Sequence, residues 1–93
     1  MKMKQERKNT VIPSHLLVLT NLDLIEMAVV GDKVQSLPQT IEQKHLLHIG
    51  CEALCHAAEN YSGKPGASFE IYAYMCIEDT LIAALERSNM ASA

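Results

Sequence analysis

Three histidines and two cysteines crowd one short stretch: His45, His48, Cys51, Cys55 and His56, with Glu52 among them. Imidazole and thiolate are the usual ligands of zinc and related divalent ions. His48, Glu52 and His56 recur at i, i+4 and i+8, which places them on one stripe of a helix and makes a metal-responsive sensor one reading of the chain. No quartet has the spacing of a closed zinc site, so a solvated polar face is the stronger reading, and no metal or other cofactor is expected. Catalysis has less to stand on. There is no nucleophile with a positioned base, and the turn around Gly63 and Gly66 lacks the strand that precedes a phosphate-cradling loop. The chain is not expected to be an enzyme.

A chain of 93 residues, 48% of them hydrophobic, supports one small core and not two. One Phe, three Tyr and no Trp weigh against a base-stacking platform and against a large aromatic-lined pocket. Charge is unevenly divided. Lys2, Lys4, Arg7 and Lys8 against Glu6 leave residues 1–10 at net +3, while the other 83 residues carry four basic and ten acidic side chains, net −6. Only Lys33, Lys44, Lys64 and Arg87 remain there to neutralise phosphates, so the body is poorly suited to nucleic acid. Residues 1–13 read as a flexible basic segment, either solvated or a polyanion tether. Cys51, Cys55 and Cys76 cannot all pair within one chain, and neither a signal-peptide pattern nor an apolar window of about 18 residues occurs. Reduced cysteines in a cytoplasmic protein with no membrane span are expected.

Three main helices must position these groups. The first is expected from Ser14 to about Ser36, after Pro13 and before Leu37-Pro38. Val18, Leu22, Ile25 and Val29 make one apolar stripe and Leu16, Leu19, Met27, Val30 and Val34 another, interrupted by Asn21, Asp32 and Lys33 and weakened at Gly31. Thr40-Ile41-Glu42-Gln43 reads as a capping box that opens a second helix from Ile41 to about Asn60. Its apolar side is Leu46, Leu47, Gly50, Ala53, Leu54, Ala57, Ala58 and Tyr61, with small residues that let another helix come close. Residues 61–67 form a turn, and Ser68 is placed to cap a third helix from Phe69 to about Arg87. Phe69, Ala73, Cys76, Ile77, Thr80 and Ala84 are its expected core face; Ile71, Met75, Ile82 and Leu85 lie opposite, beside Glu78, Asp79 and Glu86. Residues 89–93 are expected to be a tail.

The run His45-Leu46-Leu47-His48-Ile49-Gly50-Cys51-Glu52-Ala53-Leu54-Cys55-His56-Ala57-Ala58-Glu59-Asn60-Tyr61, followed by Gly66-Ala67-Ser68-Phe69-Glu70-Ile71-Tyr72-Ala73 and Ile77, resembles domain 2 of bacterial sigma-70 family factors, the flagellar and sporulation group above all. The family pattern is roughly D-L-I-Q-x-G-x-x-G-L-x-x-A-x-x-x-Y/F, a turn ending in Gly, then x-x-F-x-T/S-Y-A and a final I-R. Residues 14–88 fall under the resemblance. It implies an all-α bundle of three main helices whose second helix docks on core RNA polymerase and whose third opens and reads the −10 element.

This chain departs from the pattern at those working surfaces. His45, His48 and Ile49 stand where the family turns Asp, Gln and a polar residue toward polymerase, and Glu52 and Cys55 share that side. Tyr74, Met75 and Cys76 follow Tyr72-Ala73 in place of DNA-facing residues, and Glu78-Asp79 replace Arg and a polar residue. Carboxylates aimed at a duplex add repulsion where cations would release counterions. The expected function is therefore a sigma-like, transcription-associated interaction module with weak or absent DNA binding. Its protein partner would be core polymerase, an anti-sigma factor or a second copy. The candidate surfaces are His45, His48, Ile49, Glu52 and Cys55 on one helix and Ile71, Tyr72, Met75, Glu78, Asp79 and Ile82 on the other. The alternative is a minimal sigma factor completed by a second chain.

Overall fold

The computed structural model describes residues 13–61 and 68–92; residues 1–12 of the expected basic segment, 62–67 of the expected turn and 93 of the expected tail lie outside the described residues. Within them the chain is all α, with helices α1 (Ser14–Leu19), α2 (Asp23–Val30), α3 (Asp32–Gln35), α4 (Gln43–Asn60) and α5 (Phe69–Ser92) and no strand.

The single helix expected over 14–36 is three pieces, and local hydrogen bonds explain both breaks. Thr20 Oγ1 donates to Leu16 O at 2.7 Å and Asn21 Nδ2 to Leu17 O at 2.9 Å, so side chains bond carbonyls at the end of α1. Asn21, expected as a polar interruption, is thereby satisfied and buried. At the second break Gly31 turns extended (ψ 158°) and Gln35 Nε2 donates to Val29 O at 2.6 Å. The breaks re-aim the pieces. Leu24, Ile25, Ala28, Val29 and Val34 are buried while Leu16, Leu19, Leu22, Met27 and Val30 are exposed, so each of the two expected stripes is part buried and part exposed.

The expected capping box does not form. Glu42 occupies the N-cap position of α4 with no side-chain cap, and Thr40 instead reaches the end of α5, where its Oγ1 lies 2.7 Å from Ser88 Oγ and donates to Asn89 Oδ1 at 2.9 Å. A bond across 49 residues closes the bundle where a local bond would only have started a helix. The apolar side of α4 is otherwise as expected, with Leu46, Gly50, Ala53, Leu54, Ala57 and Ala58 buried, except that Leu47 is exposed.

Ser68 does cap α5: its Oγ accepts from Ile71 N at 3.2 Å. Phe69, Ala73, Ile77, Leu81 and Leu85 are all buried at four-residue steps. Because four residues overshoot one 3.6-residue turn, this row drifts around the helix and meets α4, α2 and α3 in place of a single neighbour. The drift corrects the expected core face. Leu85, placed outside, is wholly buried; Leu81 was not on the face at all; Thr80, placed inside, is exposed, with its hydroxyl on Cys76 O at 2.7 Å. The helix also runs on to Ser92, through most of the expected tail.

Helices α4 and α5 are antiparallel. Tyr61 at the end of α4 meets Phe69 at the start of α5 edge to face, ring centroids 5.3 Å apart, and Thr40 before α4 meets the end of α5.

Candidate functional site

On α4, His45, His48 and Glu52 point to solvent, and His48 Nε2 lies 3.6 Å from Glu52 Oε2. Ile49 is half-buried against the core, and Cys55 is half-buried beside Cys51. His48, Cys51, Glu52, Cys55, His56 and Glu59 line one shallow depression, so the stripe legible in sequence is real. It is not a ligand cage: among the described residues no three His, Cys, Asp or Glu side chains converge to hold a metal ion. Partial burial, then neighbouring Cys51, then Glu59 and Glu52 push the Cys55 thiol above its ordinary value. It stays protonated at neutral pH, which makes it a poor nucleophile and a poor ligand.

The α5 set is split by its environment. Ile71 and Met75 are more than half exposed, at 63% and 57%, and Asp79 is open to solvent. Ile82 is half-buried against the core, and Tyr72 is half-buried with its ring 5.7 Å from that of Tyr61. The Cys76 thiol beside it, and then burial, push the Tyr72 hydroxyl up. Tyr72 thus helps close the helical hairpin. Glu78 turns inward: its side chain is 13% exposed and lies 3.6 Å from Lys33 Nζ. Of the two carboxylates read as an open repulsive pair, only Asp79 faces solvent freely, while Glu78 is partnered from α3.

Sequence reading missed what the antiparallel register of α4 and α5 creates. Their flanks enclose an open groove of about 550 Å³, with Ile49, Ala53 and Ala57 among its apolar lining residues. Glu52 lines it from α4 and Asp79 from α5. Each acid is visible in the sequence as a polar-face residue, yet their meeting depends on how far α5 slides along α4, which no local pattern encodes. The surroundings are acidic: Lys33, Lys44 and Arg87 are the cations among the described residues, against ten carboxylates.

Compared with known protein families, with characterised proteins and with solved structures, the chain shows no match. Its class is set by its own coordinates: an all-α helical bundle with an acidic groove and exposed apolar side chains. No helix among the described residues is long and apolar enough to cross a membrane.

Proposed function

We propose that the chain is a sigma-like protein-interaction module that binds polypeptide and has weak or no affinity for promoter DNA. Its partner is core polymerase, an anti-sigma protein or a second copy of the chain. The observation that carries this reading is the exposed apolar pair Ile71 and Met75 on the helix that reads DNA in the sigma family, with Asp79 near by. Apolar side chains one turn apart suit a protein interface, and a scarcity of cations denies the counterion release that drives DNA binding. The half-buried Tyr72, held against Tyr61, is not free to receive a flipped base without leaving that contact.

A second reading, a minimal sigma factor working with another chain, draws on the Lys33 contact. With Glu78 partnered, the repulsion toward a phosphate backbone is about half of what two open acids would give.

Light scattering across a concentration series tests the second-copy form of the proposal. A concentration-dependent dimer is expected for the native chain and a monomer of unchanged melting temperature for the double variant Ile71→Asp, Met75→Asp. A native chain that stays monomeric at millimolar concentration removes self-association from the proposal.

A further inference from the structure

We infer that the basic segment of the chain, residues 2–8, docks in the groove between α4 and α5. Three observations support this occupant over others. The first is charge: the segment carries Lys2, Lys4, Arg7 and Lys8 against Glu6, and the groove presents Glu52 and Asp79 from its two helices. The second is pattern. Met1 and Met3 alternate with Lys2 and Lys4, matching a groove that offers apolar Ile49, Ala53 and Ala57 between its carboxylates. Asp23 and Glu26, the acids of the first turn of α2, are exposed and do not line this groove.

The third is reach. Val29 and Val30 at the end of α2 line a recess with Gln43 and Leu46 at the start of α4, so α2 runs antiparallel to α4. The other end of α2, where α1 joins it, points toward the last turns of α4, and α1 also packs on α4. Lys2 stands eleven residues before Pro13 and reaches up to about 38 Å from it, and Lys8, five residues before it, about 17 Å, whereas the 18 residues of α4 span about 27 Å. Lys2 and Lys4, nine residues or more from Pro13, thus have a reach longer than α4. A tether this short also holds it at an effective concentration on the order of millimolar, enough to make weak surface ion pairs count.

The docking itself stands on groove, charge and reach. Its consequence rests on the function proposed above: a segment seated against Asp79 crowds the neighbouring Ile71 and Met75 surface.

Zero-length carbodiimide coupling of the full chain, mapped by mass spectrometry on a mixture of light and ¹⁵N-labelled protein, tests the inference. Amide links from Lys2, Lys4 or Lys8 to Glu52 or Asp79 within one chain are expected. At 1 M salt, where screening acts over about 3 Å, the links should fall about fivefold. Links scattered over Asp23, Glu26 and Glu42, links joining differently labelled chains, or no links from the segment would each overturn it. A second measurement uses Lys2→Gln, Lys4→Gln, Lys8→Gln: the amide resonances of Ala53 and Thr80 should shift while those of Asp23 and Glu26 stay, and unmoved groove resonances contradict docking. Docking without partner binding would remove only the proposed function; partner binding without docking would remove only this inference.

Discussion

Replacing Leu81 by Ala is expected to lower the unfolding free energy by about 3 kcal/mol, within the range for truncating a fully buried leucine. Leu81 is 0% exposed in the drifting row along α5. A domain of this size has a total stability of roughly 5 to 14 kcal/mol, so the loss is a large fraction of the whole. At about 4 to 8 °C per kcal/mol for a small domain, the melting temperature falls by about 12 °C or more. Ile71→Ala on the same helix is the internal control. Its side chain is 63% exposed, and the change should stay within about 0.5 kcal/mol. Urea titration followed by circular dichroism measures both. Equal costs at the two positions would mean that α5 buries a different face.

Gly50→Val is the second large effect. A Cβ added at Gly50 would stand 2.8 Å from Ile25 Cγ2 and 3.5 Å from Ile77 Cγ2. The first contact is closer than carbon atoms tolerate, and the opposing atom is a branch methyl fixed near its backbone, so α2 must move away from α4. Overpacking of this kind costs about 1 to 3 kcal/mol and occasionally more. Valine adds two further methyl groups to that site, which puts the loss at the upper end. Alanine gains about 1 kcal/mol in helix propensity over glycine, so Gly50→Ala should fall between native and Val. A valine variant with native stability would show that α2 does not press on α4 at this point.

The contrast between α4 and α5 shows what a sequence of this kind reveals. The buried side of α4 was legible because one face serves throughout and its small residues, Gly50, Ala53, Ala57 and Ala58, sit at the helical period. The face of α5 was half legible because three neighbours share it, and a row drifting from Phe69 to Leu85 looks like scatter to a fixed-face analysis. Thr40 satisfied a local capping pattern yet bonds to the end of α5, since a tertiary partner outcompeted the nearby amide. Glu78 looked exposed from its neighbours in sequence; Lys33, brought over by the short helix α3, turned it inward. The polar stripe of α4 was found, but the groove was not, because it depends on the register between two helices.

The surface chemistry follows from the same details. With Glu78 partnered, the case against DNA binding rests less on two adjacent acids than on a body that holds ten carboxylates against Lys33, Lys44 and Arg87 among its described residues. The case for a protein partner rests on Ile71 and Met75, whose exposure the fold does not need.

Fluorescence anisotropy of the labelled chain, titrated in parallel with purified bacterial core polymerase and with duplex DNA carrying a −10 element, puts these against each other. A saturable rise with polymerase, weakened by Ile71→Asp, Met75→Asp, and a flat response to DNA at 50 mM salt are expected. A rise with DNA that collapses as salt increases, beside a flat response to polymerase, would contradict the proposed function.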